Sequence, residues 1–179
     1  MALKATIYKA ELQVADMDRH YYHTHSLTIA QHPSETEARM MLRLLAFALH
    51  ADDQLSFTKG LSTDEEPDLW SRTLADEVQL WIEVGLPDER RVRRASHRAA
   101  NVVVYAYGGR GAHIWWDQLH NKVARFQNVR VLFVSDATVQ ELAAFVQRTM
   151  RLQVNIQDGQ VWISDQERSM QVELESWKA

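Results

Sequence analysis

Residues Leu80–Arg91 read LWIEVGLPDERR, and this stretch decides the fold. Its first half is aliphatic, aromatic or β-branched apart from one carboxylate, Glu83, which is typical of a buried strand. The strand ends at Gly85, and a helix rich in arginine opens with Pro87. A charge among apolar strand residues is costly unless something pairs with it. Glu83 is therefore expected either to form a salt bridge or to hold a metal ion.

The composition is that of one globular domain. The chain has 179 residues, of which 46% are hydrophobic and 25% are charged, enough for a substantial core. No repeat or Pro/Gly-rich linker divides it, so we expect a single domain over residues 1–179. Because the chain has no cysteine, disulfides, thiolate nucleophiles, cysteine zinc sites and iron–sulfur clusters are excluded. We expect no organic cofactor.

The charge and the N-terminus limit the partners. A formal net charge of -4 argues against a protein held on nucleic acid by bulk electrostatics, although a local basic face could still contact phosphates. The first residues alternate like a strand and lack the apolar core of a signal peptide. No segment approaches the apolar length of a membrane span. We therefore expect a cytoplasmic protein with no membrane partner.

Alternating and helical patterns predict a mixed α/β fold. The predicted strands are residues 3–15, 22–30, 55–59, 78–84, 101–107, 129–134, a strand from 152, 160–164 and 170–175. The predicted helices are residues 35–50, 87–100, 112–123 and 137–149. Residues 61–76 are predicted to be a long loop. The middle of the chain should pair in parallel and the two hairpin-like ends should pair antiparallel, in a central mixed sheet with packed helices.

The first predicted helix has a clear start signal. Ser34 is the expected N-cap, and Glu37, three residues later, would complete a capping box. The helix is apolar on most of its circumference, so it should lie deep in the domain. At 100° per residue, Glu37 is expected to point into the apolar arc and Glu35 to lie at its edge.

These segments resemble the YaeQ family of bacterial proteins, and the resemblance spans nearly the whole chain. The matching segments are residues 1–10 (MALKATIYKA), 32–36 (HPSET), 39–46 (RMMLRLLA), Asp64 with Glu66-Pro67, 80–91, 114–116 (IWW) and 156–159 (IQDG). The resemblance implies a variant of the PD-(D/E)xK nuclease core with extra hairpin strands at both ends of the chain.

The resemblance also implies a set of acidic ligands. In the PD-(D/E)xK pattern, carboxylates come from the first helix, from a strand end or its loop, and from the next strand, where a lysine follows two residues later. Glu83 fits the strand position, but Gly85 occupies the position of the lysine. Because arginine stays protonated, it can hold a phosphate but cannot activate water as lysine does. The cations considered in place of the lysine are Arg90, Arg94 and Lys59.

Two further carboxylates would complete a magnesium or manganese site. Asp64 in the acidic loop is the preferred second ligand, with Glu66 and Asp68 as alternatives that spacing alone does not exclude. Glu35 is the preferred ligand from the first helix, with Glu37 in reserve. The predicted metal ligands are therefore Glu35, Asp64 and Glu83.

Three functions are compatible with these residues. The first is a divalent-metal-dependent nuclease-like enzyme, in which Arg90 or Arg94 stabilises charge on the phosphodiester. The second is a non-catalytic module that keeps a degenerate PD-(D/E)xK core and binds nucleic acid or a protein. The third is a structural protein whose acidic residues form an ion-pair network. The first is preferred, nucleic acid is the expected partner, and the identity of any protein partner is open.

Overall fold

The computed structural model describes residues 4–58 and 65–179. The strands of this part of the chain are β1 (Thr6–Asp16), β2 (Tyr21–Gln31), β3 (Leu55–Phe57), β4 (Leu69–Arg72), β5 (Val78–Val84), β6 (Ala99–Ala106), β7 (Val129–Phe133), β8 (Thr149–Gln157), β9 (Gln160–Ser164), β10 (Ser169–Val172) and β11 (Glu175–Lys178). Its helices are α1 (Glu37–Leu49), α2 (Glu89–Arg98), α3 (Arg110–Val123) and α4 (Asp136–Ala143).

The chain divides into two compact units, each with its own mixed sheet. The first unit comprises the described residues up to 51 together with residues 137–173, and the second comprises the described part of 52–136 together with residues 174–179. The predicted mixed α/β class is confirmed, but the strands form two mixed sheets where the sequence predicted one. The single-domain expectation stays a prediction.

The sheet of the first unit has the strand order β10-β9-β8-β1-β2. The predicted N-terminal hairpin is confirmed, with β1 and β2 paired antiparallel from Thr6 with Gln31 to Asp16 with Tyr21. Strands β8 and β9 form a second antiparallel hairpin, which turns at Asp158 and Gly159. Strand β8 runs parallel to β1. Alternate residues of β1 and β8 are buried, so one face of the sheet belongs to the core and the other faces solvent.

The sheet of the second unit has the order β11-β7-β6-β5-β4-β3. As predicted, the middle strands β5, β6 and β7 are parallel, with α2 and α3 as their crossovers. The near-continuous apolar burial of β6 is typical of a strand covered on both faces. The core of this unit includes Trp81, Val92, Val104, Leu119 and Val131.

Several predicted boundaries were wrong. The predicted loop at 61–76 contains β4, which pairs antiparallel with β5. The predicted helix at 137–149 ends at Ala143. Successive four-residue turns, closed by hydrogen bonds between residues three positions apart, follow it, and β8 then pairs with β1. The predicted strand at 170–175 is two strands, β10 in the first sheet and β11 in the second.

The predicted start of α1 was also wrong. Thr36 is the N-cap, since its side-chain oxygen accepts a hydrogen bond from the Arg39 amide at 3.1 Å. Ser34 instead bonds the ring of His32 at 2.7 Å, and Glu37 is exposed rather than in the apolar arc. Glu35, just before the cap, is the residue whose side chain turns inward.

Within the described residues, no helix is long and apolar enough to cross a membrane.

Candidate functional site

Glu83 lies near the carboxyl end of β5, where it is only 6% exposed. Trp81 and Glu83 are two residues apart on one strand, so their side chains share a face of the sheet. The Glu83 Oε1 atom accepts hydrogen bonds from Trp81 Nε1 at 2.8 Å and from Arg91 Nε at 2.7 Å. Of the two alternatives expected for Glu83, a salt bridge or a metal ion, the salt bridge is present. Its partner, Arg91, was not among the candidates that the sequence suggested.

Asp68 is a second buried carboxylate beside this one. It is 4% exposed and directly precedes β4. Its Oδ2 atom accepts a hydrogen bond from the Val84 amide at 2.7 Å, and its own amide donates to the Ile82 carbonyl at 3.0 Å. Asp68 is thus bonded to the backbone on both sides of Glu83. Of the alternatives in the acidic segment, Asp68 is the one that the structure places next to Glu83.

The surroundings of Glu83 change its acidity. Burial is the largest influence and raises the pKa of Glu83 from its ordinary value of 4.5 to about 7. The charge of Arg91 lowers this pKa and the charge of Asp68 raises it. Burial therefore makes the Glu83 carboxyl group easier to protonate than an exposed glutamate. A carboxyl group with a pKa in this range beside a second carboxylate is characteristic of functional sites.

Two arginines of α2 hold the chain that leads to Asp68. Arg91 Nη2 donates to the Glu66 carbonyl at 2.8 Å, and Arg98 Nη1 donates to the Glu65 carbonyl at 2.6 Å. Arg98 also lies over the Trp81 ring, 5.2 Å from its centroid. These contacts use backbone oxygens of Glu65 and Glu66. The acidic segment is therefore held against α2 in the described part of the chain.

Arg90 and Arg94, the predicted phosphate-binding residues, are exposed on α2. Neither forms an ion pair with a carboxylate of the described residues, whereas Arg93 pairs with Glu89 at 3.2 Å. Arg94 follows Arg91 by three positions and precedes Arg98 by four, so it shares their flank of the helix. Arg94 is thus the predicted cation that the helix presents on the side of Glu83.

Glu35, the predicted ligand from the first helix, belongs to the first unit and is engaged by two arginines. It is 6% exposed. Arg39 Nη1 bonds its Oε2 at 2.6 Å, while Arg43 bonds Oε2 through Nε at 2.9 Å and Oε1 through Nη2 at 2.6 Å. Both oxygens therefore face guanidinium groups, which satisfies the buried charge without a metal ion.

The predicted metal set is only partly described. Asp64 and Lys59 lie outside the described residues. Within residues 4–58 and 65–179, no group of three or more His, Asp or Glu side chains is arranged to hold a metal ion. Glu83 Oε2 receives no hydrogen bond from these residues. One carboxylate oxygen and the neighbouring Asp68 therefore fit a largely hydrated magnesium ion, which proteins bind through one or two carboxylates.

Three residues of this site were missed or ranked low from the sequence: Trp81, Arg91 and Asp68. Helical spacing carried a signal for Arg91. The residues of α2 that are buried are Val92 and Ala95, and Arg91 lies four positions before Ala95, so it borders the buried side of the helix. For Asp68 the sequence offered only a weak signal, the apolar pair Leu69 and Trp70 that follows it and begins β4.

Comparison with known proteins identifies the family. The family model described as "YaeQ protein" matches residues 1–174. Relatives named "Uncharacterized protein YaeQ" from Salmonella typhi and from Escherichia coli (strain K12) are each 49% identical over 178 residues, covering 99% of this chain and 98% of theirs. The crystal structure of the YaeQ protein from Xanthomonas axonopodis pv. citri has a TM-score of 0.94 at 48% identity, covering 98% of this chain and 99% of that one. The crystal structure of the YaeQ protein from Pseudomonas syringae has a TM-score of 0.93 at 37% identity, covering 98% of this chain and 97% of that one. The chain belongs to the YaeQ family.

Proposed function

We propose that this protein is a divalent-metal-dependent, nuclease-like hydrolase of nucleic acid phosphodiesters, with a variant PD-(D/E)xK core. The observation that carries the proposal is the pair of buried carboxylates, Asp68 and Glu83, at the carboxyl end of β5. Glu83 has a pKa of about 7 and an oxygen that receives no hydrogen bond from the described residues. A cation at this point would relieve the cost of burying two negative charges.

In this proposal Glu83 and Asp68 hold magnesium or manganese, and the metal would supply charge stabilisation and an acidic bound water. Asp64 remains the predicted third ligand. Arg91 fixes the Glu83 carboxylate by its 2.7 Å bond. Arg94, and Arg90 one helical turn before it, would bind phosphate oxygens, as guanidinium groups commonly do in nucleic-acid binding.

The lysine of the PD-(D/E)xK pattern has no simple replacement at Gly85. The backbone of Gly85 has φ +127°, a conformation that residues other than glycine rarely adopt. A lysine there would be strained even though no neighbouring atom lies within 4 Å of its Cβ position. A cation must therefore come from another residue, and Arg94 is the one on the adjacent flank of α2.

Calorimetry with Mg²⁺ and Mn²⁺ tests the site directly. We expect the native chain to bind the metal and Glu83→Gln to lose at least about tenfold in affinity, because the variant removes a charged ligand. Glu77→Gln is the matched control, since Glu77 is exposed in the same unit just before β5. Equal binding by both variants, or no binding by the native chain, would refute the metal site.

Cleavage assays with single-stranded DNA, double-stranded DNA and RNA then test the reaction. We expect metal-dependent cleavage of at least one substrate, and a loss in Arg94→Ala that exceeds the loss in the neighbouring Arg93→Ala. Metal binding without cleavage of any substrate would reject the enzyme.

The second candidate function is the non-catalytic nucleic-acid- or protein-binding module. It is favoured by the two arginines that occupy both oxygens of Glu35 and by the glycine in place of lysine at position 85. This function predicts nucleic-acid or protein binding that survives chelation of divalent metal and is unchanged in Glu83→Gln.

A further inference from the structure

The solvent-facing side of the first sheet has an unusual composition. Strand pairing places Tyr22, Ala15, Asn155, Trp162 and Gln171 in one row across all five strands. The next row contains Thr24, Gln13, Gln153, Ser164 and Ser169. We refer to these ten residues as the amide face. It carries no charged side chain, although charged residues are the usual occupants of exposed surface.

Two large aromatic side chains stand in the first row of the amide face. Tyr22 is 61% exposed and Trp162 is 42% exposed. Strands β1 and β8 lie between them, so at the usual strand spacing they are about 14 Å apart. The residues between them are Ala15 and Asn155, which are small. The row therefore has two smaller side chains between two exposed aromatic rings.

A depression adjoins this row. It has a volume of about 400 Å³, within the range of small-molecule sites. Its lining includes Gln13, Thr24 and Gln153 of the amide face and, beyond it, Gln166. The amides of Gln13 and Gln153 bond each other at 3.0 Å, which leaves their remaining donors and acceptors directed to the surroundings. The lining also contains three charged side chains. Arg151 and Glu11 lie 3.7 Å apart and compensate each other. The third is Asp165, whose Oδ1 atom accepts hydrogen bonds from the backbone amides of Glu167 and Arg168.

We propose that the amide face binds a neutral oligosaccharide. Amide and hydroxyl groups both donate and accept hydrogen bonds, which matches sugar hydroxyls. Exposed aromatic rings supply apolar faces with a polar end, on which the C–H side of a sugar ring packs. A neutral surface does not attract a polyanion, which binds through lysine and arginine. The occupant is thus a short, uncharged, polyhydroxylated chain that spans Tyr22 and Trp162.

The test begins with an array of neutral glycans probed with the full chain, followed by titration of the bound oligosaccharide. Binding is followed by the indole N–H signals in ¹H–¹⁵N spectra, with the Trp162 signal assigned from Trp162→Phe. We expect the Trp162 signal to shift, and Trp162→Ala and Tyr22→Ala each to weaken binding by about tenfold, while Trp162→Phe retains most of it. Thr28→Ala, on the same face of β2 but outside both rows, is the control that should bind normally.

Three results would overturn the proposal. One is the failure of every neutral glycan on the array to bind the folded native chain. Another is binding that Trp162→Ala and Trp162→Phe leave unchanged, with folding verified by thermal melting. The third is displacement of the glycan by single-stranded oligonucleotides that shift the same Trp162 signal at lower concentration, which would assign the face to nucleic acid. The metal site is tested on separate residues, so its failure would leave this proposal untouched.

Discussion

At the scale of single residues, the decisive feature is a carboxyl group whose ionised form is disfavoured by its buried surroundings. Glu83 is buried beside Asp68, and Arg91 together with Trp81 only partly compensates that burial. Replacing a buried ionic group with an apolar residue of similar size often leaves stability unchanged or raises it. The two adjacent buried carboxylates are therefore not required by packing, which is compatible with the cation site proposed above.

The raised pKa of Glu83 predicts a pH dependence of stability. Because the folded value of about 7 exceeds the ordinary value of 4.5, the folded state binds a proton more tightly than the unfolded chain. The stability associated with this proton is fully present below pH 4.5 and is lost as pH rises through 7. The loss should approach about 3 kcal/mol, at 1.36 kcal/mol per pKa unit.

Glu83→Gln should remove this contribution, because glutamine does not titrate. We expect the free energy of unfolding in urea to fall more steeply between pH 4.5 and 7 for the native chain than for Glu83→Gln. The control variant Glu77→Gln should follow the native curve. Parallel curves for the native chain and Glu83→Gln would show that Glu83 is ionised normally.

At the scale of elements, the strands and helices with a long hydrophobic pattern could be predicted from the sequence. The short strands that depend on tertiary pairing could not. The strand β5, the helix α2 and the parallel strands after it follow from hydrophobic patterns that extend over many residues. Strand β4 has only four residues, directly after an acidic segment, and its pairing with β5 makes it a strand. The division between β10 and β11 likewise depends on which sheet each strand joins, which local pattern does not encode.

The same distinction holds for the candidate site. The burial and ion pairing of Glu83 and the exposed position of Arg94 on α2 could be predicted, because one depends on a charge in an apolar run and the other on helical spacing. The proximity of Asp68 could not, because it depends on the pairing of β4 with β5. The two arginines on Glu35 were not predicted either, although Arg39 and Arg43 lie four and eight residues after it.

The cap of α1 gives a prediction at this scale. Thr36→Ala should lower the free energy of unfolding by about 1 kcal/mol, because the Arg39 amide loses its acceptor. Ser34→Ala, two residues away, should change it by less than about 0.5 kcal/mol, since Ser34 is exposed and outside the helix. Chemical denaturation of both variants measures the difference. A larger effect at Ser34 would restore the capping box that the sequence suggested.

At the scale of the whole molecule, the chain builds its two units from interleaved segments. It leaves the first unit after residue 51, returns at 137, and ends in the second unit after residue 173. Strand β11, close to the end of the chain, forms an edge of the second sheet by pairing with β7. The second unit therefore acquires its last strand only after the whole of the first unit has been synthesised.

The Trp177 side chain packs this last strand against aromatic residues of the second unit. Its ring stacks on Phe133 with centroids 4.4 Å apart and on Trp116 with centroids 5.8 Å apart. Trp177→Ala should lower the free energy of unfolding by about 2 kcal/mol, less than for a fully buried aromatic because Trp177 is half-buried. Trp177→Phe should recover much of the loss, and Lys178→Ala, one residue along β11, should be close to neutral. Denaturant unfolding measures all three, and native stability in Trp177→Ala would mean that β11 is held by its backbone hydrogen bonds alone.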